Sequence, residues 1–266
     1  MWEFLKNQFR KIRHKLHYDD VELKQLIYRI IEQQKYLLKE IETLKSLVLE
    51  PNGIQALPLR YQMLNAPKQY EHLYWEMPSG AVCIDCGGNI GLFSDLVLSQ
   101  GGESHLFEPN PVLFSKLSLK YKENSHIHLY NAAVGVRNET VTFSMPDIIN
   151  DNYLLFSQSS LVNTEQIDNE LITAKSISYE VNSIRLTEFI ERLLQNHESI
   201  YILKLDVEGS EFDILEDLIE TQLYKMINHI FCETHERFVV NGVQRLENIK
   251  DKIALLNIEN IHLDWV

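Results

Sequence analysis

The sequence predicts an α/β fold: a mostly parallel sheet with helices on both faces, preceded by an amphipathic, coiled-coil-like helix. Three observations predict it. From residue 81 to 256, strand-like apolar runs alternate with helix-like periodic segments, the pattern of parallel strands joined by crossover helices. A glycine-rich turn, VCIDCGGNIGLFSDL (82–96), stands between the first such run and the first such helix. Ahead of both, residues 23–48 carry apolar side chains at heptad spacing.

The amino end divides into two helical stretches. Trp2, Leu5, Phe9, Ile12 and Leu16 share one face, and Lys6, Arg10, Lys11, Arg13 and Lys15 crowd the rest. Such a basic amphipathic stretch suits either an anionic membrane surface or packing within an oligomer. Leu23, Ile30, Leu37 and Leu44 then recur seven apart, as do Ile27, Gln34, Ile41 and Val48, so one polar residue sits in a seam of nearly four heptads. Residues 1–50 are therefore expected to be a helical segment that makes the protein a homo-oligomer. Pro51-Asn52-Gly53 ends that helix, and 51–79 reads as a connector to a domain over 80–266.

Within that domain the expected strands are 81–85, 105–108, 126–133, 201–206 and 229–233, with helices over 92–99, 111–122, 211–218 and 243–256. Residues 141–145 read as a short extra strand. Residues 146–175 form a long polar segment without periodicity, and a loop of that length in a compact domain is usually functional. Its Tyr153, Phe156 and Ser159 suit stacking on, and hydrogen bonding to, a sugar.

Charge and composition exclude several classes. The formal charge is −13, yet residues 1–50 hold ten Lys/Arg against eight Asp/Glu, which leaves fifteen against thirty elsewhere. An acidic body repels phosphate backbones, so nucleic-acid binding is not expected. No apolar run approaches the roughly 20 residues that span a bilayer, and Met1-Trp2-Glu3-Phe4-Leu5-Lys6 lacks the form of a secretory signal. The expected location is the cytoplasm, at most against the inner face of the membrane. Three cysteines, with Cys83 and Cys86 inside an apparent strand, do not complete a zinc or redox site.

In an open parallel sheet the ligand sits outside the carboxyl ends of the strands, and the first strand-to-helix turn comes closest to it. Gly87, Gly88 and Gly91 fall on that turn, where glycine permits unusual backbone angles and removes Cβ atoms that would collide with a nucleoside. The next strand ends in LFEPNP (106–111), which places Glu108 about twenty residues beyond the glycines, where a carboxylate accepts ribose hydroxyls. The dinucleotide turn is G-x-G-x-x-G, because a helix N-terminus must meet a pyrophosphate. This chain instead reads Asp85-x-Gly87-x-Asn89-x-Gly91. A carboxylate there is a poor neighbour for pyrophosphate and a good one for the cationic methionine end of S-adenosylmethionine, which favours a methyl donor over a nicotinamide.

The sequence resembles the FkbM-type methyltransferases, a branch of the Rossmann-like class I methyltransferases. IDCGGNIGLFS (84–94), FEPNP (107–111), NAAVG (131–135), SSL (159–161), ILKLDVEGSE (202–211) and CETHE (232–236) carry the resemblance, over about residues 80 to 236. It implies S-adenosylmethionine-dependent methylation of an oxygen, commonly on a saccharide or a secondary metabolite. Carried across motif by motif, it implies that Asp85, Gly87, Gly88, Asn89, Gly91 and Phe93 line the methionine end, with Asp206 beside them. Glu108 and Pro109 would stand at the ribose, and Asn131 and Ala132 at the adenine. Residues 1–50 are not covered, and the short tail after Ile261 departs from the usual seven-stranded sheet at its far edge.

Methyl transfer is an in-line displacement, so the protein must hold an acceptor oxygen behind the methyl carbon and manage one proton. A sugar hydroxyl is a weak nucleophile and needs a base or a metal. Two strand ends converge on that need: Lys204-Leu205-Asp206-Val207-Glu208, where alternation puts Lys204 and Asp206 on one side, and Glu233-Thr234-His235. Lys204, Asp206 and His235 are the expected catalytic residues, with His235 as a metal-free general base. Asp206, Glu233 and His235 together are equally a donor set for Mg²⁺ or Mn²⁺. For Asp206 and Glu208, helix capping at 211–218 is the structural alternative. The expected activity is O-methylation of a saccharide or nucleotide-sugar, in surface polysaccharide synthesis. A secondary metabolite or lipid acceptor, a nicotinamide oxidoreductase and a catalytically silent scaffold are the competing readings.

Overall fold

The computed structural model describes residues 67–146 and 176–265. Residues 1–50, with the helix, oligomerising and membrane contacts expected of them, most of the connector, and the stretch with Tyr153, Phe156 and Ser159 lie outside the described residues. Along the described chain come α1 (Glu71–Trp75), β1 (Val82–Cys86), α2 (Leu92–Ser99), β2 (Glu103–Phe107), α3 (Pro111–Lys120), β3 (Ile127–Tyr130), β4 (Ala133–Gly135) and β5 (Glu139–Pro146). After them come β6 (Ser176–Arg185), α4 (Leu186–Leu193), β7 (Ile200–Leu205), α5 (Glu211–Glu220), β8 (Ile227–Cys232), α6 (Gly242–Leu255) and β9 (Ile261–His262).

Six strands form one sheet in the order β3-β2-β1-β7-β8-β9, with every neighbouring pair parallel. This is the Rossmann-like α/β arrangement that the alternation of elements implies. Successive residues of a strand point to opposite faces, and both faces are covered. Val82, Ile84 and Cys86 of β1 join Leu203 and Leu205 of β7 in a core capped by Leu186 and Ile190 of α4, Phe212 and Leu215 of α5, and Ile249 of α6. Cys83 and Ile202 face the other way, onto Tyr74 of α1 and Phe93, Leu96 and Val97 of α2. Leu106 meets Leu117 of α3 on that same side. Burying each such side chain is worth about 1.5–3 kcal/mol, and both layers depend on it.

Helix starts follow local chemistry. Asn110 caps α3, its Oδ1 accepting the N–H groups of Val112 and Leu113, with Pro111 at the first helical position. Strand order reverses between β1 and β7, so the crevice expected of such sheets opens outside Cys86 and Leu205.

The structure departs from the sequence reading in three places. The run 126–133 is not one strand: it breaks at Asn131 into β3 of the main sheet and β4 of a second, three-stranded sheet ordered β4-β6-β5. Residues 176–193, assigned no element from the sequence, form β6 and α4. Beyond β8 a two-residue β9 closes the far edge of the main sheet. Among the described residues, no helix is long and apolar enough to cross a membrane.

Candidate active site

The turn after β1 is built from glycines because the protein itself crowds it. Gly87 has φ +82°, and a Cβ there would run into the main-chain carbonyl of Asp206 from the adjacent strand end. At Gly88 a Cβ would strike the Leu106 side chain, and at Gly91, φ +82°, the Tyr121 hydroxyl. Bare backbone at Gly87 thus has an internal reason beside the expected one: it lets β1 and β7 close on each other at the point where strand order reverses. The N–H groups of Gly87 and Gly88 both donate to Phe107 O, and that of Asp206 to Cys86 O, which ties three strand ends together.

Asp85 does not line the crevice. It is fully buried beneath the turn, Oδ2 accepting from Ser94 Oγ at 2.8 Å and Oδ1 lying 3.5 Å from Lys204 Nζ. The two residues are register partners on β1 and β7, which places them side by side on one face. Lys204 also donates to Gly87 O at 3.0 Å and Asp206 Oδ2 at 3.3 Å. Burial lowers the Lys204 pKa, but Asp206 and Asp85 outweigh it and hold the ammonium well above its ordinary value. So held, Lys204 joins the turn after β1 to the end of β7. Phe93 is corrected as well: it is 2% exposed and meets Tyr74 edge-on in the core. Ala132 likewise belongs to the core beside β1.

Glu108 stands where the second strand ends and is itself buried. Its Oε2 accepts the N–H of Asn89, whose φ is +49°, and its Oε1 that of Asn110, both at 2.8 Å. Burial pushes the carboxyl up to about 7 against the pull of those two donors. Asn131, exposed, donates from Nδ2 to the carbonyls of Glu108 at 2.9 Å and Pro109 at 3.3 Å, closing the loop ends of β2 and β3 over one another. Gly87, Asn89, Glu108, Pro109 and Asn131 thus share one rim.

Beside that rim lies the acidic group anticipated from the two strand ends. His235, 3% exposed, approaches Glu208 Oε2 at 3.3 Å and Glu233 Oε1 at 3.5 Å through Nε2. Its Nδ1 is 2.7 Å from Glu211 Oε1. Glu211 is the residue that sequence reasoning missed. It is fully buried and accepts the N–H groups of Val207 at 3.2 Å and Gly209 at 2.8 Å, so it braces the turn after β7 and fixes the imidazole in one motion. The signal was present in DVEGSE (206–211): an acid in the first turn of α5 that faces inward, where a solvated helix start has no reason to bury one.

The electrostatics follow from this crowding. Burial lowers the His235 pKa, yet Glu211, Glu208 and Asp206 overcome it and raise the ring to about 9. Burial, with Asp206, Glu211 and Glu233 adding to it against His235, brings Glu208 up to about 7. Glu233 is raised too, burial first and Asp206 next. The capping alternative for Asp206 and Glu208 falls away, since α5 has Ser210 at its cap with no side-chain bond, and Glu208 sits in a left-handed turn at φ +57°. One ligand atom each from Asp206, Glu233 and His235 lie within 4.8 Å of one another, a spacing that fits a divalent ion.

Comparison with known proteins places the chain in a family. The family model described as the methyltransferase FkbM domain matches residues 85–252. Methyltransferase 1 of Beauveria bassiana (strain ARSEF 2860) is 24% identical over 164 residues, which is 59% of this chain and 65% of that protein. Methyltransferase sdnD of Sordaria araneosa is 24% identical over 180 residues, 60% of this chain and 68% of that one. The match therefore spans slightly less than two thirds of the first relative's length.

Proposed function

The chain belongs to the FkbM methyltransferase family, and from that premise we propose that it moves the methyl group of S-adenosylmethionine to a hydroxyl of a saccharide or nucleotide-sugar. The observation that carries the proposal is the meeting, at the reversal of strand order, of the Gly87–Asn89 turn and Glu108 with the acids Asp206, Glu208 and Glu233 around His235. Donor and site fit chemically. A cation suits a rim whose acids outnumber its bases, and Glu108 keeps lone pairs beyond its two backbone bonds for ribose hydroxyls. S-adenosylmethionine supplies a methyl group on a positively charged sulfur that leaves with its electron pair.

The residues have separate tasks. Lys204, held by Asp85, fixes Gly87 O and Asp206 and so sets the shape of the turn. Glu211 holds His235 by Nδ1 and leaves Nε2 toward the crevice. At neutral pH the acids keep His235 protonated, but its excess basicity falls when a positive charge is brought against those same acids. With the donor bound the imidazolium gives its proton to solvent, and the neutral Nε2 then takes the proton of the acceptor hydroxyl as the O–C bond forms and the C–S bond breaks.

A second reading rests on the 4.8 Å spacing of Asp206, Glu233 and His235. Those residues would hold Mg²⁺ or Mn²⁺, which lowers the pKa of a bound hydroxyl. A thermal-shift comparison of S-adenosylmethionine with NADH tests the donor. A nucleotide-sugar panel scored by mass spectrometry, with and without EDTA, tests acceptor and metal. Stabilisation by NADH alone overturns the proposal, and loss of turnover in EDTA selects the metal version.

A further inference from the structure

A second group of potential ligands lies on the opposite half of the sheet, outside the methyltransferase site. Glu103 and His105 are two residues apart on β2 and therefore share one face, and His128 of β3 is the register partner of His105. Both imidazoles turn Nε2 toward the same carboxylate oxygen: Glu103 Oε1 lies 3.2 Å from His105 Nε2 and 2.9 Å from His128 Nε2. One ligand atom from each of the three falls within 4.8 Å of the others. His105 is 4% exposed, and its buried Nε2 faces Glu103 Oε1 inside the group. Its other nitrogen, Nδ1, is 3.0 Å from the Tyr130 hydroxyl, which fixes the ring's orientation from outside.

We propose that Glu103, His105 and His128 form a binding site for a divalent first-row transition ion of the zinc class. Two imidazoles and one carboxylate are the donors such an ion takes, with a fourth position left for water. A partner on the far nitrogen of a ligating histidine is the usual outer support of these sites, and Tyr130 supplies it. The approach is open, because the Glu103 side chain is 27% and the His128 side chain 43% exposed. The rings stack at 4.5 Å with 14° between their planes, so binding requires the exposed His128 ring to turn until its Nε2 converges with that of His105. Glu103 and His105 lie five and three residues before Glu108, so at about 3.3 Å per residue the ion sits roughly 10–16 Å from the cofactor rim. There it ties edge strand β3 to β2. The thiols do not compete: Cys83, Cys86 and Cys232 are all buried, and burial pushes Cys83 up to about 12.

The test is equilibrium dialysis of the full chain against Zn²⁺ in a His235→Ala background, which disrupts the other candidate donor set among the described residues. That variant is expected to hold one equivalent. Adding His128→Ala is expected to weaken binding ten-fold or more, and adding Glu103→Gln, which keeps the packing, is expected to do the same. Co²⁺ in the His235→Ala chain should give a visible spectrum of nitrogen and oxygen ligation that the added substitutions abolish. No bound equivalent in His235→Ala, unchanged binding after either added substitution, or a thiolate charge-transfer band would each overturn the proposal.

Discussion

Asp85 and Lys204 stand side by side on neighbouring parallel strands, 3.5 Å apart between Oδ1 and Nζ, with side-chain exposures of 0% and 8%. Lys204→Met leaves Asp85 as a buried carboxylate without its cation. Removing one partner of a buried ion pair costs about 3–5 kcal/mol, so urea unfolding should show a loss of that order. A loss below about 1 kcal/mol would mean that the pair does not hold the turn.

Gly87→Ala drives a Cβ into the main chain of Asp206, which cannot move without parting β1 from β7. We expect it to abolish S-adenosylmethionine binding in calorimetry. Gly80→Ala is the control: Gly80 has φ +79° but nothing within 4 Å of an added Cβ, so it carries only the left-handed backbone cost of about 1–2 kcal/mol and leaves binding intact.

The same comparison shows what a sequence discloses. Four of the main strands and the helices at 92, 111, 211 and 243 were legible because apolar periodicity and Gly or Pro punctuation mark them. The strand 126–133 was misread because both halves are apolar, and only the turn at Asn131 reveals that they enter different sheets. Leu186, Phe189, Ile190 and Leu193 mark α4 at helical spacing and were overlooked beside the long polar segment before it. In the site, motif chemistry located Asp206, Glu233 and His235. It cannot tell a glycine that admits a ligand from one that admits a neighbouring strand, nor an acid on the rim from Asp85 beneath it. Glu211 escaped for a related reason: its role depends on a histidine 24 residues away.

Glu211→Gln removes the largest influence raising His235. The ring should titrate well below about 9, and the limb of the pH–rate profile on which activity rises as His235 loses its proton should move to lower pH with it. Histidine NMR in both chains reads this directly, and an unmoved resonance would detach Glu211 from His235.

His235 also makes stability depend on pH. Its folded pKa, about 9, lies above the ordinary 6.5, so its contribution is complete below pH 6.5 and is lost as pH rises through 9. The wild-type Tm should fall across that window, and the fall should be smaller in Glu211→Gln. S-adenosylmethionine should bind with proton release over the same range, since its positive charge and the imidazolium compete for the same acids. Equal slopes in the two chains would contradict the assignment.

The central claim is that this crevice binds a methyl donor and passes an acceptor proton to His235. Its most direct test is turnover of S-adenosylmethionine with a panel of nucleotide-sugars, comparing wild type with His235→Ala and following the methylated acceptor by mass spectrometry. The account predicts that the variant binds S-adenosylmethionine at least as tightly as wild type does and turns over roughly 10²–10⁴-fold more slowly, the loss expected of an acid–base group. Near-normal turnover by His235→Ala would contradict it.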